Sequence, residues 1–123
     1  MQTITPKQAE EKLQNGALLL DVRTPAEFNA FHINGNVKLL PHTEIQRVVE
    51  LIPNKTTVIV TTCRSGMRAA YATEVLTELG YQNVFNLEGG LINFNKYLLS
   101  SNKSSLEEYI ERAKILEKHP GEY

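Results

Sequence analysis

At 123 residues the chain accommodates one domain with a single core and excludes a second. Its 41% hydrophobic and 22% charged residues are those of a globular protein, not of a disordered, fibrous or membrane-embedded one. With 13 Lys and Arg against 14 Asp and Glu, no overall positive field recruits nucleic acid or an anionic membrane, so an anion site has to be local.

Thr5-Pro6-Lys7-Gln8 predicts the first helix: a hydroxyl cap, a Pro at the first helical position and a Gln at the third, with Asn15-Gly16 as the stop and Ala9 and Leu13 facing inward. The apolar run over residues 17–20 predicts a central strand, which ends on Asp21 and Arg23 at the carboxyl edge of the sheet. Thr24-Pro25-Ala26-Glu27 repeats the cap for a short helix with Phe28 and Phe31 on one side. His32-Ile33-Asn34-Gly35 then turns into a strand over residues 37–40. After Pro41, Thr43-Glu44-Ile45-Gln46 predicts a third capped helix bearing Ile45, Val48, Val49 and Ile52, closed by Pro53-Asn54.

Val58, Ile59 and Val60 predict a buried strand that runs to Cys63. From Arg68 onward Ala69, Ala72, Val75, Leu76 and Leu79 recur at helical spacing, and Gly80 is the stop. The turn between them, Cys63-Arg64-Ser65-Gly66-Met67-Arg68, therefore lies on the sheet edge where α/β folds bind ligands. Gly66 permits a tight turn, and the first N–H groups of the helix point into the loop, which makes an anion cradle with a thiol at its rim. Residues 83–87 predict another strand, and Gly89-Gly90 open a helix carrying Leu91, Ile92, Phe94 and Leu98, where Gly allows close backbone approach. Ser104 and Glu107 cap a last helix whose Leu106, Ile110, Ala113 and Leu116 form an apolar stripe. That stripe is expected to pack on the domain, with a homodimer contact as its alternative. The alternation of strands and short helices argues an open, mostly parallel sheet with helices on both faces.

One Cys excludes an internal disulfide and a Cys metal cluster, and an unpaired thiol fits a reducing compartment, so a cytoplasmic protein is expected. Residues 1–4 show no basic leader region, and no run approaches the length of a membrane span. His32, His42 and His119 lack metal-ligand spacing, and neither metal nor cofactor is expected.

Four stretches in this order resemble the rhodanese-like (thiosulfate sulfurtransferase) family in its single-domain form: LLLDVRTPAEF from Leu18, HINGNV from His32, the loop CRSGMR, and ELGYQNVFNLEGG from Glu78. The resemblance spans residues 4–94. It implies a three-layer fold with a five-stranded parallel sheet, a single rhodanese domain over residues 1–123, and a C-terminal helical extension over 95–123 whose role it leaves open. It also implies that Cys63 is the nucleophile that takes up a sulfane sulfur as a persulfide. Phe31, Asn36, Thr62 and Phe94 depart from the residues usual in the family at those places, flanking or packing on the site.

Beside a helix N-terminus and two Arg residues a Cys63 thiolate is stabilised, and the thiol is expected to be accessible. Arg68 falls where it can close the cradle, Arg64 selects anionic donors from the rim, Ser65 offers a hydroxyl or an N–H, and Met67 is a loop-edge apolar contact. Asp21 and Arg23 read as a structural ion pair, Glu27 as a cap residue and His32 as a structural histidine. The expected donor is a small sulfur-bearing anion and the acceptor cyanide or an external thiol, because no second Cys can resolve a persulfide internally. Two other classes stand beside this reading. One is a phosphatase or arsenate reductase, although Cys63 to Arg68 is Cys-x4-Arg and cysteine phosphatases carry the longer Cys-x5-Arg. The other is a non-catalytic binding module, against which Cys63 and both Arg residues speak.

Overall fold

The computed structural model describes residues 2–101. Their order is β1 (Gln2–Ile4), α1 (Pro6–Gln14), β2 (Leu18–Asp21), α2 (Pro25–Ala30), β3 (Val37–Leu39), a 3-10 helix (His42–Arg47) leading into α3 (Val48–Leu51), β4 (Val58–Thr62), α4 (Met67–Glu78), β5 (Asn83–Leu87) and α5 (Gly90–Ser101). All strand pairings are parallel and the sheet order is β1-β5-β4-β2-β3. The expected α/β class with helices on both faces is therefore the observed one.

Alternating side chains divide the core between the two faces of the sheet. Leu18, Leu20 and Ile59 pack with Val48, Ala69, Ala72 and Leu76 on the α3–α4 side, while Leu19 and Val60 pack with Ala9, Leu91, Phe94 and Leu98 on the α1–α5 side. β2 (Leu-Leu-Leu-Asp) is buried throughout and β4 (Val-Ile-Val-Thr-Thr) from Ile59 onward, so each begins as an apolar run and turns polar toward its carboxyl end. The carboxyl ends of these two central strands carry Asp21 and Cys63.

The expected caps of α1 and α2 are both formed, with Thr5 and Gln8, and Thr24 and Glu27, exchanging hydrogen bonds as reciprocal capping boxes. The expected cap at Thr43 is not. The chain leaves Pro41 directly into the 3-10 helix, Glu44 has non-helical angles (φ −117°, ψ 19°), and no side chain caps either helical segment. Of the apolar residues these helices carry, Val49 on α3 is 43% exposed and Ile92 on α5 is 41% exposed. The residue-by-residue reading also missed β1, a three-residue strand paired to β5 in which Ile4 alone is buried. Helix α5 continues through residue 95 to Ser101, with Leu98 in the core. The expected helix after Ser104 lies outside the described residues, and with it the homodimer contact. Among the described residues no helix is long and apolar enough to cross a membrane.

Candidate active site

Strand β4 brings Cys63 to the carboxyl edge of the sheet, and the chain reverses over Arg64 and Ser65 into α4. Gly66 is the N-cap of α4 at φ 110°, a backbone region that residues with a Cβ rarely enter. In that conformation its N–H points back to the thiol: Cys63 Sγ accepts a hydrogen bond from Gly66 N at 3.0 Å. The thiol is thus set at the N-terminal, positive end of α4.

A second helix start holds the loop from the other side. The N–H groups of Leu91 and Ile92, first-turn residues of α5, donate to the carbonyls of Cys63 (2.9 Å) and Arg64 (3.1 Å). This approach requires glycine. A Cβ on Gly90 would lie 2.6 Å from the Cys63 carbonyl oxygen and 2.7 Å from the carbonyl carbon and oxygen of Arg64, all rigid backbone. The close approach expected of Gly89-Gly90 is thus observed, and its object is the Cys63 loop. Cys63 itself is buried, with 1% of its surface exposed, because its side chain joins the α3–α4 side of the core. This corrects the expectation of an accessible thiol.

Arg68, on the first turn of α4, gives both terminal nitrogens to Glu27, Nη1 to Oε1 at 2.6 Å and Nη2 to Oε2 at 3.0 Å. Glu27 therefore does more than cap α2, a role the sequence reading did not foresee. The Arg68 hydrogen bonds hold the Glu27 carboxyl well below the usual range, at about 2, against the opposing effect of burial and with help from Thr24. The same bonds raise Arg68 above its ordinary value, burial opposes them, and the fields of Glu27, Cys63 and Asp21 add to the rise. Arg64 and Ser65 are exposed. Met67, expected as a loop-edge apolar contact, is the first residue of α4 and is 82% exposed.

Asp21 and Arg23 form the expected ion pair, at 2.7 Å between Nη2 and Oδ2, with Arg23 Nε also donating to both carboxylate oxygens. Both residues are buried, and Arg23 Nη2 further donates to the Phe31 carbonyl at 2.6 Å, which ties the end of α2 to β2. His32 is buried against Phe28, its ring stacked at 4.0 Å and its Nδ1 2.9 Å from the Phe28 carbonyl, in the structural role read for it. Among the described residues no group of three His, Cys, Asp or Glu side chains is placed to hold a metal ion.

Residues 5–97 match the model of the rhodanese-like domain. The thiosulfate sulfurtransferase GlpE of Haemophilus influenzae is 34% identical over 87 residues, covering 71% of this chain and 81% of that one. The probable adenylyltransferase/sulfurtransferase MoeZ of Mycobacterium tuberculosis is 31% identical over 101 residues, covering 78% of this chain, which in turn spans 25% of MoeZ. A rhodanese-related protein from Thermoplasma volcanium superposes with a TM-score of 0.70 at 26% identity, over 79% of this chain and 93% of that one. A thiol at the end of the central strand, cradled by a helix start and pinned by a Gly-Gly turn, is thus set in a chain that belongs to the rhodanese-like family.

Proposed function

We propose that the protein is a thiosulfate sulfurtransferase in which Cys63 carries the transferred sulfur as a persulfide. The observation that supports this most directly is the 3.0 Å hydrogen bond from Gly66 N–H to Cys63 Sγ at the start of α4. In the first half-reaction the Cys63 thiolate attacks the outer sulfur of thiosulfate. A new S–S bond forms, the sulfur–sulfur bond of thiosulfate breaks, and its electron pair leaves with sulfite. Two anions have to meet, so the repulsion is offset by N–H donors and positive charge. Gly66 and the backbone of Arg64 to Arg68 supply the donors, Arg64 supplies charge from the rim, and Ser65 offers its hydroxyl or N–H. Arg68, fixed on Glu27, positions the loop's end. Met67 has no part in the chemistry. The burial of Cys63 favours a slim donor whose reacting sulfur is terminal. With one Cys in the chain, the persulfide is discharged by cyanide or an external thiol in a second half-reaction, which gives ping-pong kinetics.

The test is the intact mass of the full chain after mixing with thiosulfate. One added sulfur atom, removed again by cyanide with formation of thiocyanate, is the expected result. No mass change at saturating thiosulfate and no thiocyanate would point to a binding module.

A further inference from the structure

Helix α4 lies on the sheet with small side chains in its first half: Ala69, Ala72 and Thr73 are all fully buried. Small residues let a helix come close to a strand without fixing how close. A polar contact fixes it here. The hydroxyl oxygens of Thr73 and of Thr61, on β4, are 2.6 Å apart, and among the described residues no other side-chain hydrogen bond links β4 with α4. The hydrogens in this contact can be placed. Thr73 donates to the Ala69 carbonyl at 2.7 Å, so the hydrogen between the two hydroxyls comes from Thr61, whose other acceptor, the Phe85 carbonyl, is 3.4 Å away. A hydrogen-bonded chain thus runs from β4 into the first turn of α4. Both its ends lead to the reacting loop. Alternation along the strand puts Thr61 on the face of the sheet that Cys63 shares, and Ala69 lies in the turn that Gly66 opens.

We infer that Thr61 and Thr73 are positioning residues for sulfur transfer: their hydroxyl contact sets the height of α4 over β4, and with it the reach of the Gly66 N–H to Cys63 Sγ. The inference rests on the persulfide reading above. Two oxygens that share a hydrogen approach to 2.6 Å, whereas two methyl groups in their place meet at roughly 3.5–4.0 Å. Valine at both positions therefore lifts the helix by about 1 Å. No polar group is stranded by that change, because both partners of the hydrogen bond go together. A lift of that size weakens the 3.0 Å bond from the Gly66 N–H steeply. A sulfur less firmly held then reaches the outer sulfur of thiosulfate in the right geometry less often.

The full chain and its variants are mixed with a range of thiosulfate concentrations, and the gain of one sulfur is timed by intact mass. The Thr61→Val, Thr73→Val double variant is expected to melt close to the wild type and to load about tenfold more slowly at saturating thiosulfate, the effect of one hydrogen bond. The thiosulfate concentration that gives half the maximal rate should change by about twofold at most, since the donor's own contacts are untouched. In nitrogen-15 NMR spectra the Gly66 amide resonance is expected to move in the same variant. Thr61→Ser and Thr73→Ser keep the hydroxyls and should load within about twofold of the wild type. Thr77→Val removes another hydroxyl of α4, one that donates to the Thr73 carbonyl at 2.8 Å, and should change neither the loading rate nor the Gly66 resonance. If the valine pair does not fold, Thr73→Val alone repeats the test, with the Phe85 carbonyl left to Thr61 as acceptor. A wild type that gains no sulfur would end the sulfur-transfer reading itself. Normal loading of the wild type, with an unchanged rate in a folded valine variant, a folded serine variant as slow as the valine one, or an equal loss in Thr77→Val, would overturn the positioning inference alone.

Discussion

Arg68 and Glu27, 41 residues apart in sequence, are joined by hydrogen bonds of 2.6 and 3.0 Å. The same carboxylate accepts from the Thr24 N–H and hydroxyl, so one side chain closes the cap of α2 and anchors the first turn of α4. Glu27→Gln keeps an oxygen for the cap and removes only the charge. Because the folded carboxyl titrates at about 2 and its ordinary value is 4.5, the folded state holds its charge where the unfolded chain has taken up a proton. The advantage of the wild type over Glu27→Gln is therefore fully present above the unfolded value and is lost as pH falls through the folded one. With both side chains about a third exposed, solvent screening keeps it to about 1 kcal/mol. Urea unfolding of both proteins between pH 7 and pH 2 checks this, and a difference that grows as pH falls contradicts it.

The approach of α5 to the Cys63 loop makes a second prediction, in which packing and backbone strain oppose each other. Gly90 sits at φ 63°, within the left-handed region an alanine reaches at roughly 1–2 kcal/mol, whereas Gly35 sits at φ 119°, outside it. Strain alone makes Gly35→Ala the costlier change. Contact reverses the order, because a Cβ on Gly90 meets backbone at 2.6 Å and one on Gly35 meets nothing within 4 Å. Overpacking against backbone that cannot yield costs roughly 1–3 kcal/mol more. Gly90→Ala is expected to be the less stable variant in thermal melts and to lose sulfur transfer, while Gly35→Ala keeps it.

The buried Asp21–Arg23 pair leads to a third. Asp21→Ala leaves the buried Arg23, 6% exposed as a residue, without its carboxylate, a loss expected to cost about 3–5 kcal/mol. Adding Arg23→Met removes the stranded charge and is expected to recover part of that cost, less what the hydrogen bond to the Phe31 carbonyl contributes. Denaturant midpoints of the single and double variants decide it. A double variant less stable than Asp21→Ala would assign the pair another role.

These relationships differ in how far the chain alone revealed them, and the difference follows sequence distance. The caps at Thr5 and Thr24 were legible because donor and acceptor lie three residues apart and need only a local turn. The similar pattern at Thr43 was misleading because Pro41 starts a tighter helix earlier, with Glu44 off helical angles. Strand β1 was invisible locally: Gln2 and Thr3 are exposed, and only the pairing with β5 makes them a strand. Cys63 and Gly66 could be read as a candidate site because strand, turn and helix follow one another directly, whereas at Gly89-Gly90 the sequence pointed to a close backbone approach without its object. The partner of Arg68 could not, since the short-range signal at Glu27 was already accounted for by its cap. Nor could the burial of Cys63, which belongs to a core cluster assembled from β2, α3, β4 and α4.

Cys63→Ser separates the cradle from the nucleophile it holds. Serine is slightly smaller than cysteine and its oxygen can accept the Gly66 N–H, so the loop, the two helix starts and the core around them are expected to persist. Stability should change by no more than about 1–2 kcal/mol, the usual range for a small buried replacement. The chemistry should not survive. Attack on sulfur needs a soft, anionic nucleophile, and the thiolate is the reactive form of cysteine, whereas a serine hydroxyl at neutral pH is almost wholly protonated. Among the described residues the carboxylates of Asp21 and Glu27 are committed to Arg23 and Arg68. The variant is therefore expected to melt close to the wild type, to gain no sulfur mass from thiosulfate and to form thiocyanate only at the uncatalysed rate. Thiocyanate formation at the wild-type rate in Cys63→Ser would remove Cys63 from the mechanism. Loss of both fold and activity would instead assign the thiol to the core it joins, and the mass shift of the wild type on thiosulfate addition then decides whether it is also the sulfur carrier.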